Sequence, residues 1–220
     1  MTTTGNLPGT DAARHGRGDA DLTIMLAAHD AFRRDLTRLV RTASAADLSD
    51  PARRRSVAAG WELFKHQLHL HHTAEDEVIW PALRPRLAHS EHALSVLAAM
   101  EEEHERIDPL LAAVDTAFAQ RGDDSLADVI DALVSTLTGH LGHEERDGLP
   151  LIGVALTAAE WRRVGFKIAR RNGRSEGGEM FAWILDGADG NTAALRTLPP
   201  PLRLLDKADW KPRLDKTPRW

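Results

Sequence analysis

An all-α fold, an antiparallel up-down four-helix bundle with a partly helical C-terminal extension, follows from three features of this 220-residue chain. Four segments before residue 155 repeat apolar residues at alternating steps of three and four, the mark of an amphipathic helix. No stretch in that range alternates with period two, as a half-buried strand would. The connections are short, Leu48-Ser49-Asp50 after the first segment and Arg121-Gly122-Asp123-Asp124 after the third, as antiparallel neighbours require.

The first segment, from about Asp21 to Ala45, places Leu22, Met25, His29, Phe32, Leu36 and Leu39 on one face. The second starts near Pro51, a favourable first helical residue. Its stripe reads Val57, Trp61, Phe64, Leu68, His71, Glu75, Val78, and Trp80-Pro81 marks its exit. The third covers about Ser90 to Gln120, with Leu94, Leu97, Met100, His104, Ile107, Leu111, Val114 and Phe118 inward; Pro109 is expected to bend it just past His104. The fourth opens after Asp123-Asp124-Ser125, which read as N-cap residues. Its stripe is Leu126, Val129, Leu133, Leu137, His140, Glu144, Asp147 and Leu151, and Leu149-Pro150 repeats the exit of the second.

Past Ala155 the composition changes. Thr157-Ala158-Ala159-Glu160 reads as a capping box opening a basic helix that the run from Asn172 to Gly178 breaks. A short helix over Glu179–Ala188 follows, and then a Trp- and Pro-containing end. These aromatics suit a segment packed over the bundle better than a disordered tail. The expected division is a flexible segment at 1–20, the bundle at 21–155 and the extension at 156–220.

Composition narrows the chemistry. There is no cysteine and no tyrosine, so thiolate and phenolate ligands are excluded, while histidine is plentiful at 11. The net charge of −5 leaves no overall basic footprint for nucleic acid. The N-terminus lacks the apolar run of a signal peptide, and no segment has the length of a membrane span. No nucleic acid, no membrane and a cytoplasmic location are the expectations.

Each of the four inward faces holds one histidine near its middle: His29, His71, His104 and His140. Glu75 and Glu144 follow His71 and His140 by four residues, one turn later on the same face. Unpaired carboxylates at that depth are strongly disfavoured. A bound metal pair would relieve them, and mixed imidazole and carboxylate donors suit iron or manganese, with zinc an alternative. A histidine on a helix stripe is by itself usually an ordinary core or boundary residue; four convergent stripes are not. His72 with Asp76 and His143 with Asp147 share the four-residue spacing. Stripe phase and proline position favour the first register, leaving His72, Asp76, His143, Glu145 and Asp147 as candidates to support the ligands. Glu101-x-x-His104 has ferritin-like spacing but occurs once where that fold needs it twice.

These residues resemble the hemerythrin-like, or HHE cation-binding, domains. His71, Glu75 and Pro81, and again His140, Glu144 and Pro150, match the repeated His-x-x-x-Glu…Pro signature. His29 in LAAHDAFRRDL and His104 in EEEHERI match the remaining histidines, over residues of about 20 to 155. The Trp- and Pro-containing end is similar to the extension of a bacterial subset. The resemblance implies a four-helix bundle holding two iron ions, with Glu75 and Glu144 bridging them; Fe–Mn or another divalent metal uses similar ligands. Oxygen-carrying members have a further histidine one turn before the third-helix ligand, where this chain has Met100. Glu101, water or substrate would fill that place. An open position favours activation of O2, peroxide or NO over reversible storage, in an oxidoreductase with or without a small organic substrate. An iron or O2 sensor without turnover, and a structural protein with a vestigial site, are the competing readings.

Overall fold

The computed structural model describes residues 20–44, 50–119, 125–186, 211–216 and 218–220. Among them the chain is all-helical, with no strand. Helices α1 (Thr23–Ser44), α2 (Pro51–Ala74), α4 (Glu91–Ala119) and α5 (Ser125–His143) form a helical bundle, with α3 (Trp80–Leu83) and α6 (Leu149–Ala155) continuing α2 and α5. Helix α7 (Ala158–Ile184) lies against α1 and α2, and the short α8 (Lys211–Asp215) packs on α7. Residues 1–19 of the expected flexible segment, the N-cap residues Asp123 and Asp124, the proline run at 199–201 and Trp210 fall outside the described residues, whereas Ala20 is described and buried.

Local chemistry accounts for the helix starts. The Asp50 carboxylate accepts hydrogen bonds from the Ala52 and Arg53 N–H groups, and Pro51 occupies the first turn, where its missing N–H is no loss. Thr157 and Glu160 form a reciprocal capping box at the start of α7, as their spacing predicts. Arg86 extends that anchorage with hydrogen bonds to the Glu160 carboxylate and the Ala155 carbonyl.

Two sequence-based boundaries need correction. Pro81 and Pro150 do not end their helices; each follows a five-residue π turn, Glu75–Ile79 and Glu144–Gly148, after which α-helix resumes. In these turns the Trp80 N–H reaches the Glu75 carbonyl and the Leu149 N–H reaches the Glu144 carbonyl. A proline ring inside an α-helix clashes with the carbonyl four residues back. The wider π turn gives that ring room without ending the helix. Helix α4 likewise runs unbroken through Pro109. In α7 the expected break narrows to one residue, Gly173, whose φ of 76° and ψ of 173° suit glycine.

Two apolar clusters form the core, and the polar stripe lies between them. The first includes Phe32, Leu36, Trp61, Phe64, Leu68, Ile107, Val114, Leu133, Leu137 and Trp183. The second includes Leu22, Ile79, Trp80, Leu83, Leu97, Met100, Leu149 and Ile152. Each large apolar side chain buried in them contributes about 1.5–3 kcal/mol. Helices α1 and α4 pass from the second cluster to the first, and α2 and α5 from the first to the second. His29, His71, His104 and His140 all occur at the crossing.

Helix α7 is fastened to α1 by polar groups that the apolar stripes do not reveal. Asp35, 1% exposed, accepts from the Trp183 indole at 2.7 Å and pairs with Arg34 and Arg38. Arg34 also donates to the carbonyls of Trp183, Ile184 and Asp186, at and just past the end of α7. Trp220 lies on α2 above Gly60, where an added Cβ would come within 2.6 Å of its indole. No helix among the described residues is long and apolar enough to cross a membrane.

Candidate metal centre

The crossing between the two apolar clusters brings seven side chains into two groups. His29, His71, Glu75 and Glu144 offer ligand atoms within 4.8 Å of one another, and His72, His104 and His140 do the same. All seven residues are buried. Glu75 links the groups: one oxygen is 3.2 Å from His71 Nε2 and the other 3.5 Å from His104 Nε2. On the other side, His29 Nε2 is 3.1 Å from Glu144. His104 and His140 meet Nε2 to Nε2 at 3.2 Å, and the His72 ring stacks on that of His104.

Carboxylates hold the far edges of three of these imidazoles. Glu145 lies 2.9 Å from His29 Nδ1, Asp76 lies 2.9 Å from His104 Nδ1 and Glu103 lies 2.9 Å from His140 Nδ1. Each fixes its ring so that Nε2 faces the interior, the arrangement that orients metal-binding histidines. Each of these carboxylates is also the sequence neighbour of a cluster residue on one helix while bonding a histidine on another. Arg33 supports Glu145 at 2.7 Å, and Glu103 also reaches His143 Nδ1 at 2.8 Å.

Burial and mutual repulsion dominate the electrostatics. Burial, then the neighbouring Glu144, pushes the Glu75 carboxyl well above its ordinary range. Burial acts upward on Glu144 as well, but His29 and the other imidazoles hold it low. Burial would lower His29, yet Glu144 and Glu145 outweigh it and raise that imidazole to about 9. Burial and neighbouring histidines lower His71, His72 and His140. The cluster thus has one carboxylate driven toward neutrality and one ionised against the His29 cation.

The orphaned atoms test whether a metal suits this pocket. The Nε2 atoms of His29, His71 and His72 and all four oxygens of Glu75 and Glu144 are buried with no well-directed hydrogen bond, His29 and His71 meeting Glu144 and Glu75 only as close approaches of 3.1 and 3.2 Å. Such groups cost about 1–3 kcal/mol each, more when charged. Cations bound between imidazole nitrogens and carboxylate oxygens would satisfy all of them, and the donor chemistry fits iron or manganese.

The sequence-derived set divides as follows. His29, His71, Glu75 and Glu144 fall in one group, and His104 and His140 in the other. His72, read from the stripe as a supporting residue, stands in the second group itself. On α2 both registers are therefore used, His71 facing one group and His72 the other, with Asp76 supporting His104; the second register on α5, His143 with Asp147, does not reach either group. Glu101 is not brought to the site, because it pairs with Arg84 at the surface. His143 is part-exposed, bonded to Glu103 and 3.5 Å from the exposed Asp147. Met100 is fully buried in the second apolar cluster. Glu103 was not singled out by the sequence; its signal is its place directly before His104.

No curated protein and no solved structure matches the chain. The family model for the hemerythrin HHE cation binding domain matches residues 20–152, the span that contains all seven cluster residues and their three carboxylate partners. The chain belongs to the hemerythrin HHE cation-binding domain family.

Proposed function

We propose that this protein is a non-haem di-iron oxidoreductase of hemerythrin type, binding and activating O2, peroxide or NO. The observation that carries the reading is the set of seven converging buried ligand residues whose inner atoms are largely unsatisfied. His29, His71, Glu75 and Glu144 would hold one ion. His72, His104 and His140 would hold the other, with Glu75 reaching across. Each ion then has four protein donors, counting Glu75 for both, which leaves room for a small molecule. Bound iron supplies redox chemistry and open coordination positions there.

The chain's own residues supply the rest. Glu145, Asp76 and Glu103 orient the imidazoles, while Trp80, Leu97, Met100 and Leu149 belong to the buried apolar cluster on one side of the site. The order of the two apolar clusters along α1, α2, α4 and α5 supports an antiparallel up-down four-helix bundle. We read 21–155 as that bundle and 156–220 as an extension packed on it. O2, peroxide or NO would be the small-molecule ligand, with or without a small organic substrate, in a cytoplasmic protein.

A specific contact favours a second reading, an iron or O2 sensor without turnover. Trp183 of the extension packs on Phe32 at 4.7 Å, and Phe32 packs on His71 at 5.1 Å. Metal occupancy could thereby be felt by α7. Mixing the reduced, iron-loaded protein with O2 or peroxide in a stopped-flow cell separates the readings. Oxidation gives a transient visible band that decays with consumption of the oxidant. A stable, fully reversible oxygenated form contradicts the enzyme, and absence of oxidant consumption alongside an iron-dependent change in protease sensitivity after residue 155 selects the sensor.

A further inference from the structure

The first arm of α7, before the break at Gly173, is unlike the rest of the molecule. Arg162, Arg163, Lys167, Arg170 and Arg171 are exposed on it, with Arg174 just beyond, and residues 162–174 contain no acid. Arg171 pairs with Glu77. Among the described residues the other five have no acidic partner. The chain has 28 basic against 33 acidic residues; taking away these six leaves 22 against 33, so the remainder is strongly acidic.

An apolar group stands in the middle of this charge. Phe166 is 74% exposed, although a phenylalanine gains most by burial. On a helix its neighbours at three and four residues are Arg162, Arg163 and Arg170, with the small Gly165 and Ala169 alongside. Gly165 has no structural reason to be glycine: its backbone is helical and an added Cβ would meet nothing within 4 Å. Glycine at an exposed helix position costs about 1 kcal/mol relative to alanine. A flat place beside an aromatic ring, rimmed by arginines, has the composition of a protein interface centre.

We infer that this arm is a docking surface for an acidic protein partner, with Phe166 as the apolar anchor. A lipid surface fits less well, because the apolar side chains on the other side of the arm, Trp161, Val164 and Ile168, are packed against the second apolar cluster. That leaves one phenylalanine to insert. A bilayer or a long duplex would also extend beyond an arm of about 22 Å and meet the acidic remainder. A compact partner engages the basic arm alone. The Arg171–Glu77 pair joins the arm to the π turn that begins at Glu75, so the partner would rest against the element presenting the carboxylate shared by the two ligand groups. The inference holds for an enzyme and for a sensor alike.

The test titrates the full-length protein with three labelled probes: a Glu-rich helical peptide of about four turns, phosphatidylserine vesicles, and a random-sequence DNA duplex. The peptide is expected to bind in a salt-dependent manner and more tightly than the other two. Arg163→Glu with Arg170→Glu, and separately Gly165→Leu, should each weaken it by about tenfold or more, on the scale of lost charge complementarity or blocked contact. Neither change should lower the melting temperature. Phe166→Ser should weaken binding even at high salt. Failure of the peptide to bind, tighter binding of vesicles or duplex, or variants that bind like the wild type would overturn the inference. So would a salt-sensitive dimer of the protein itself that Arg163→Glu with Arg170→Glu dissolves, since that assigns the surface to a second copy.

Discussion

At the scale of single residues, His71 and His72 show how one turn of helix can serve two ligand groups. Adjacent side chains on an α-helix diverge by about 100°. Straddling the centre of the α2 stripe, one ring faces His29 and Glu144 while the other stacks on His104. Stripe phase selects one residue per turn for the interior, which brings out His29, His71, His104, His140, Glu75 and Glu144 as inward-facing and leaves His72 at the boundary. The supporting carboxylates were harder to read, since their partners are on other helices and no periodicity within one helix reports that. Glu103 is the informative one to change. Glu103→Gln keeps the shape but removes the charge behind His140, and should weaken metal binding by about 10–100-fold with little loss of apo-protein stability. Competition with a chelator of known affinity measures it.

At the scale of elements, the two π turns are the feature that spacing announced without explaining. The proline six residues after each glutamate was visible, but a proline in sequence reads as a helix end unless the wider turn before it is known. Both turns begin at a cluster glutamate, so they help set where Glu75 and Glu144 point. Pro81→Ala supplies an N–H and removes the ring, and the turn should relax toward regular α-helix, rotating α3 against α2. Metal affinity should fall while helix content by circular dichroism stays unchanged; unchanged affinity would separate the turn from the site.

The start of α7 gives a pH-dependent prediction at the same scale. The Arg86 hydrogen bond, then those of Thr157, hold the Glu160 carboxyl down to about 2 from an ordinary value of 4.5. A group with a depressed pKa stabilises the fold above its ordinary value and loses that effect as pH falls toward the folded one. Amide protection of residues 158–161 should therefore exceed that of Glu160→Gln at pH 6, and the two should converge as pH falls from 4.5 toward 2. Equal protection at pH 6 would remove Glu160 from the anchorage.

At the scale of the whole molecule, the bundle and its extension share one core. Trp183 is 1% exposed, belongs to the first apolar cluster and is tied to Asp35. Trp183→Ala should destabilise the protein by about 3–5 kcal/mol, the usual cost of emptying a buried aromatic site. Urea denaturation measures the loss. A loss below about 1 kcal/mol would show the extension to be a loosely held appendage, because distant surface changes lie in that range. The all-α architecture was legible because four long amphipathic stripes leave few alternatives. The grip of α7 was not, because it depends on Arg34, Asp35 and Arg38, whose charges mark them as surface residues until the partner helix is in place.

The central claim is a paired metal centre in which Glu75 is shared and His72 belongs to one half. Its most direct test is iron content per chain, measured after anaerobic loading and desalting, for the wild type, His72→Ala and Glu75→Ala side by side. The account predicts two irons in the wild type, one in His72→Ala and almost none in Glu75→Ala. A wild type without stoichiometric metal, or a Glu75→Ala protein that retains both ions, would contradict it.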